Sequence, residues 1–227
     1  MRGAESLWIV IPAFNEAGVV GEVVASVHAR YPNVVVVDDC SSDQTGSAAL
    51  RAGATILRHP INLGQGAALE TGIRYALSQG AEWIVTFDAD GQHRTDDIAT
   101  LWKRQQETGV DVVLGSRFLG SAPGISLMRR AVLQLAVAYT RLTSGVRMTD
   151  AHNGLRLLTR HAAQHIKIRQ NRMAHASEII DQISALGLSL SEAPVTVLYT
   201  EYSLRKGQRL SNAFNIVWDM LLARLHK

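Results

Sequence analysis

Residues 7–39 read LWIVIPAFNEAGVVGEVVASVHARYPNVVVVDD, and this stretch decides the fold. Leu7-Trp8-Ile9-Val10-Ile11 is an apolar run of strand length closed by Pro12, and Val34-Val35-Val36-Val37 is a second, closed by Asp38-Asp39. Between them, over Glu16 to Arg30, Val19, Val20, Val23, Val24 and Val27 recur at the spacing of an amphipathic helix. The unit is therefore strand, helix, strand. Working outward, Asp43 to Arg51 predicts a second helix, Ala54 to Leu57 a third strand, Gly66 to Gln79 a third helix and Trp83 to Phe87 a fourth strand. Strands that are apolar throughout and alternate with helices predict one α/β domain with a mostly parallel central sheet covered by helices on both faces. Further helices are expected over Ile98 to Thr108, residues 127–143 and Ala176 to Leu186. Further strands are expected over Asp111 to Gly115, after the polar loop Asp150 to Arg156, and over Val195 to Tyr199.

With 227 residues, 47% of them apolar and 19% charged, the chain is sized for a folded globule rather than a disordered protein. Ala131 to Thr140, the most apolar later stretch, falls short of the ~20 residues that span a bilayer. Met1 to Ser6 has no apolar core of a signal peptide, so no export is expected. The single cysteine, Cys40, excludes an intramolecular disulfide or a cysteine zinc cluster and suits a reducing cytoplasm. Net charge is +3, and the basic excess falls late, at Arg129, Arg130, Arg141, Arg147, Arg156, Arg160, Lys167, Arg169 and Arg172. An anionic partner would sit there: nucleic acid, a phosphorylated lipid or an anionic membrane face. No aromatic-rich basic platform or groove-reading helix stands out, so nucleic acid is not expected. The helix over 127–143 sets its arginines beside Leu133, Leu135, Val137 and Tyr139. That pattern suits a membrane interface, and equally a helix packed on its own domain.

In parallel sheets ligands bind beyond the carboxyl ends of the strands. The polar clusters of this chain sit at those ends: Pro12 to Glu16, Asp38-Asp39, Asn62 to Gly66, Asp88-Ala89-Asp90 and Ser116-Arg117. Alternate residues of an extended strand point the same way, so Asp88 and Asp90 would face one ion. An oxygen-only site with few ligands suits magnesium or manganese shared with a phosphate. An Asp-rich turn is the plainer reading of such a pair taken alone, and the gathering of clusters on one rim is what favours a common ligand site. Glu16 likewise reads as an acid at a helix start. His161 and His165 are spaced for one helix face without a third metal ligand and are expected on the surface. His93 and His152 lie within polar loops. Gly64 and Gly66 match neither common phosphate-loop spacing and are expected to serve tight packing.

Taken in order, Ile11 to Glu16, Val37 to Asp43, Asn62 to Gly66, Asp88 to Gln92, Gly115-Ser116-Arg117 and Asp150 to Arg156 resemble the motifs of family 2 glycosyltransferases of the GT-A fold, a single Rossmann-like domain. Within that family they are most similar to dolichyl-phosphate mannose synthases and bacterial polyprenyl-phosphate glycosyltransferases. The resemblance runs from Trp8 to about Leu221. It implies a catalytic domain over 1–210, followed by an amphipathic C-terminal segment over 211–227. It implies that Pro12, Phe14, Glu16 and Asp39 hold a nucleoside, and that Asp88, Ala89, Asp90, Arg117, Arg130, Arg205 and Lys206 complete the nucleotide-sugar site. Asp88, Asp90 and Gln92 would hold Mg2+ or Mn2+, and Asp90, Arg117 and Asp150 would be the catalytic residues. The implied activity is metal-dependent, inverting transfer from a UDP- or GDP-sugar to a polyprenyl (undecaprenyl or dolichyl) phosphate at the cytoplasmic face of the membrane. The arginine-bearing helix or the amphipathic C-terminal segment predicts peripheral attachment there, with a small membrane protein as a further partner. The alternative acceptor is a hydroxyl of a saccharide or lipid-linked oligosaccharide, for which Asp150 would have to act as a base.

Overall fold

The computed structural model describes residues 4–171 and 174–199. The strands β1 (Leu7–Ala13), β2 (Asn33–Asp38), β3 (Thr55–Arg58), β4 (Trp83–Thr86), β5 (Val112–Ser121), β6 (Arg156–Thr159) and β7 (Leu190–Thr196) form one sheet in the order β3-β2-β1-β4-β6-β5-β7. The helices are α1 (Val20–His28), α2 (Thr45–Arg51), α3 (Gln65–Ser78), α4 (Asp96–Thr108), α5 (Leu127–Ser144), α6 (Arg160–His165) and α7 (His175–Ala185). Alternation along the strands divides the core between the two faces of the sheet. Ile9, Ile11, Val34, Val36, Val85 and Phe87 pack with Val20, Val24 and Leu101 of α1 and α4. Val10, Val35, Ile84, Val112 and Leu114 pack with Leu69, Ile73 and Ile180 of α3 and α7. Each such side chain contributes roughly 1.5–3 kcal/mol when fully buried, so both helix layers are held by the same strands.

All neighbouring strands are parallel except at β6, which runs antiparallel to β4 and β5 and sets Arg156 opposite both Thr86 and Leu114. The rim where β1, β2, β4 and β5 end therefore receives the beginning of β6 and the loop before it. This reversal lies outside what apolar runs alone reveal.

Several boundaries differ from expectation for local reasons. Helix α1 begins at Val20, because the Glu16 carbonyl accepts hydrogen bonds from the Val19 and Val20 N–H groups in a turn. Glu16 is thereby left on the rim, ahead of the helix. Among the described residues the last strand is β7, ending at Thr196, rather than Val195 to Tyr199. Its polar residues and Pro194 disguise it, and they are tolerated because β7 is an edge strand paired only with β5. Pairing beyond β4 ends with the hydrogen bond from Phe87 N–H to the Val10 carbonyl; Asp88 follows just past the strand, and Ala89 and Asp90 lie on a turn, so the two acids are not on one extended strand. Helix α5 starts where the Ser126 hydroxyl accepts the Arg129 N–H and stops at Gly145, whose φ of 72° favours glycine.

Candidate active site

A cavity of about 320 Å³ opens at this rim. Pro12, Phe14, Glu16, Asp39, Asp88, Ala89, Asp90 and Gln92 line it, as do Arg129, His152, Gly154, Arg156 and His175. The β1 and β2 turns supply part of the lining. Asp39 is buried there, its carboxylate accepting the Leu63 N–H at 2.9 Å, the Gly64 N–H at 2.6 Å and a contact from His59 Nδ1 at 2.7 Å. The far nitrogen of His59 meets the Thr71 hydroxyl at 2.9 Å, so a side chain of α3 braces the acid. Gly64, with a φ of 99°, makes the turn that delivers its N–H to Asp39. Phe14 remains 44% exposed and offers an apolar wall beside these acceptors.

The turn after β4 forms the floor. Asp88 accepts Gln65 Nε2 at 3.1 Å and meets His93 Nε2 at 3.0 Å. Burial works against its ionisation, but the His93 hydrogen bond and charge, with Arg156 and His175, hold its carboxyl below the usual range. Asp90 behaves oppositely. Burial first, then the neighbouring Asp88 and more weakly Glu16, push its carboxyl up to about 6, and the one hydrogen bond given to it by the Gln92 N–H does not offset them. A buried acid beside a second carboxylate is a place where a cation would be stabilised, so the donor set fits a hard divalent ion. No three His, Cys, Asp or Glu side chains form a ready-made cage among the described residues. Asp88, Asp90 and the Gln92 amide would thus leave positions on such an ion for ligand oxygens.

Cationic side chains line the same cavity beside Asp88. Arg156, at the head of β6, is 2% exposed, and its Nη1 has no hydrogen-bond partner. Burial lowers its pKa, with Asp88 and Asp150 offsetting only part of the effect; a guanidinium stays charged in proteins, so this is a buried cation short of partners. His152 is pushed down to about 4 by burial and by Arg156 and Arg117, against the pull of Asp150, and is neutral near pH 7. A Cβ on Gly154 would overlap the Asp88 carboxylate, 2.6 Å from its Cγ, so only glycine lets this loop close over the acid.

Arg117, Arg130 and Asp150 do not line the cavity. Asp150 and Arg117 are spent on each other: Arg117 Nε donates to Asp150 at 2.6 Å, its backbone N–H does so at 3.1 Å, and Nη1 donates to the Tyr199 hydroxyl at 2.9 Å. Burial opposes the Arg117 charge, but Asp150 and Tyr199 raise its pKa overall. The neighbouring Arg129 reaches the cavity instead, its guanidinium carbon 4.8 Å from the Tyr199 ring centre, while Arg130 lies over Phe118. Arg205, Lys206 and the segment 211–227 lie outside the described residues. His161 faces Asp111 and His165 its own helix backbone, as surface residues do. Arg129, Arg156 and His175 escaped the reading of the sequence as site residues. The signal for Arg156 was a charge opening the otherwise apolar Leu157-Leu158 strand.

A family model described as glycosyl transferase family 2 matches residues 8–166. The chain is 34% identical to an uncharacterized protein of Methanocaldococcus jannaschii, over 97% of this chain and 93% of the other. It is 29% identical, over 97% of each chain, to the UDP-N-acetylglucosamine–dolichyl-phosphate N-acetylglucosaminyltransferase of Methanococcus voltae. Polyprenol monophosphomannose synthase of Mycolicibacterium smegmatis is 27% identical over 91% of this chain and 82% of its own. Glucosyl-3-phosphoglycerate synthase from Mycobacterium tuberculosis, solved with Mn2+ and UDP-glucose, shares the fold with a TM-score of 0.72 over 97% of this chain and 79% of that one, at 18% identity. The architecture is GT-A, and with the family model spanning most of its length, the chain belongs to glycosyl transferase family 2 and is a glycosyltransferase.

Proposed function

We propose that the protein transfers a sugar from a nucleoside-diphosphate sugar to a polyprenyl phosphate, with inversion, at the cytoplasmic face of a membrane. The observation that carries this reading is one cavity lined both by carboxylates, Asp39, Asp88 and Asp90, and by guanidinium groups, Arg129 and Arg156, with Asp150 committed to Arg117 outside it. Transfer to a hydroxyl needs a base to take its proton; a phosphate is already ionised at neutral pH and needs none. An acceptor oxygen would bond to the anomeric carbon as the bond to the diphosphate breaks, its electron pair leaving with the nucleoside diphosphate. Asp88, Asp90 and Gln92 would hold Mg2+ or Mn2+, which supplies charge neutralisation for the departing diphosphate. Pro12, Phe14, Glu16 and Asp39 would seat the nucleoside, and Arg117 would act by positioning Asp150 and Tyr199. The names of the Methanococcus and Mycolicibacterium relatives agree with a lipid-phosphate acceptor.

The membrane contact falls to α5. Leu127 and Leu142 are each 86% exposed, and Met128 and Leu135 are also exposed. Arg130 and Arg141 share that exposed side, and no Asp or Glu occurs between Val112 and Thr149. Such a face suits peripheral attachment to anionic lipid, and no described helix is long and apolar enough to cross a membrane.

The test is a thermal-shift panel of UDP, GDP, CDP and dTDP with and without Mn2+, followed by transfer assays on geranyl phosphate and on a saccharide hydroxyl. A metal-dependent rise for one nucleotide is expected by mass action, with transfer to the phosphate alone. Transfer to the hydroxyl but not to the phosphate would overturn the acceptor assignment. Equal retention by anionic and zwitterionic vesicles would overturn the role of α5.

A further inference from the structure

The loop entering β6 carries a concentration of unmet hydrogen-bonding capacity. Among the described residues, the buried side-chain nitrogens and oxygens without a partner include His152 Nδ1, Asn153 Nδ2 and Arg156 Nη1, all within five residues of sequence. Buried polar groups in folded proteins are paired as a rule, and a buried cation left unpaired is costly. The structure around the loop is otherwise well tied. Asn153 Oδ1 accepts the Leu155 N–H, the Thr86 hydroxyl donates to the Gly154 carbonyl at 2.6 Å, and Glu192 accepts the Thr149 and Asp150 N–H groups. The unmet groups are therefore not the result of a loose loop. Two of their three owners, His152 and Arg156, line the cavity, together with Arg129 and with His175 at the start of α7.

We propose that Arg156, Arg129 and His152 form a subsite for the phosphate monoester of the acceptor, an assignment that rests on the sugar-transfer reading above. A phosphate dianion offers only acceptors, and a guanidinium fork is the side chain best matched to it. A sugar is neutral, and the donor diphosphate has its counter-charge at Asp88 to Asp90, where a divalent ion would sit. These cations are thus surplus to the donor's needs. The nearby Asp88 offsets only part of the burial of Arg156, and a divalent ion held by Asp88 would take up its charge. No proton needs to move: one P–O–C bond forms at the anomeric carbon and one breaks. His152, neutral near pH 7, would contribute a ring N–H without adding charge.

The experiment is calorimetric titration of the full chain with geranyl phosphate, geraniol and inorganic phosphate, and separately with the nucleotide that binds alongside Mn2+. Wild type, Arg156→Lys, Arg156→Gln and His152→Ala are compared, with melting curves for each. Geranyl phosphate should bind well above geraniol, and inorganic phosphate should compete with it. Arg156→Gln should weaken geranyl phosphate roughly 10- to 100-fold, the loss expected for charged hydrogen bonds, and raise its KM alike while leaving the nucleotide unaffected. Arg156→Lys should fall between, since it keeps the charge and loses the fork. Unchanged phosphate affinity in Arg156→Gln would overturn the proposal and make Arg156 a structural counter-charge to Asp88. Equal losses for nucleotide and phosphate would overturn it in favour of the donor. Should Arg156→Gln fail to fold, Arg156→Lys and His152→Ala decide by the same measurements. Wild type binding nucleotide but neither phosphate probe sinks this subsite while leaving sugar transfer standing; no nucleotide binding sinks the transfer reading itself.

Discussion

The carboxylate and cationic linings of the cavity are built by different means. The carboxylate lining comes from the turns after β1, β2 and β4, strands that run parallel and side by side. Its acids include Asp90, whose ionisation is disfavoured until a cation arrives. The cationic lining comes from α5, from the head of the one reversed strand and from the start of α7, elements far apart in the chain. Its buried guanidinium, Arg156, is charged already and has an Nη1 with no hydrogen-bond partner. One set of groups favours positive charge and the other negative, which suits the proposed reading of a donor diphosphate held with a cation and an acceptor phosphate.

Breaking the carboxylate lining should have the largest effect. Asp90→Ala is expected to lower kcat by about 10²–10³-fold, the usual loss when one element of transition-state charge stabilisation is removed. Nucleotide affinity without metal should hardly change, and a fully active variant would refute the metal assignment. Next comes the support beneath the cationic lining. Asp150→Asn leaves the buried Arg117 guanidinium without its counter-charge, at a cost of about 3–5 kcal/mol. For a chain of this size that lowers Tm by roughly 10 °C in calorimetry. Activity on a phosphate acceptor should survive at temperatures where the variant is folded; its complete loss there would make Asp150 a base and sharpen the case for a hydroxyl acceptor.

Smaller effects separate brace from ligand. His59→Gln removes the support of Asp39 and should weaken nucleotide binding about 10-fold by titration, without altering the KM for geranyl phosphate. If both move together, the two linings are not independent. The smallest effect is on pH dependence. In the metal-free protein Asp90 keeps its proton up to about pH 6, above the range of an unfolded carboxyl. Its contribution to stability is therefore present at low pH and is lost as pH rises through about 6. Mn2+ should raise Tm by a few degrees more at about pH 8 than at about pH 5, because the metal must displace that proton. A shift independent of pH would show that Asp90 is not where the cation binds.

Much of the carboxylate lining was legible before any coordinates. Valine-rich runs ending in Pro12, Asp38 and Asp88 announce strands whose ends carry polar turns, and parallel order then brings those ends together. The conformation of the Asp88 turn was not legible, because one β-carbon of alternation looks the same on a strand and just past it. Nor was the engagement of Arg117: its position after an apolar strand was clear, but its partner Asp150 is distant in sequence and tied to it only by folding. Arg129 and Arg130 are adjacent and chemically identical, and only the rotation of α5 against the body decides which one faces the cavity.

The sequence by itself determined the strand-helix alternation, the two-faced core and the family, because periodicity and short motifs are local properties of the chain. Tertiary structure alone decided that β6 runs backwards and so brings the start of a strand, with Arg156, to a rim otherwise made of strand ends. Strand direction depends on which neighbours offer hydrogen bonds and burial at once. The charges that meet across the cavity depend in turn on that direction, so no window of residues could contain the answer.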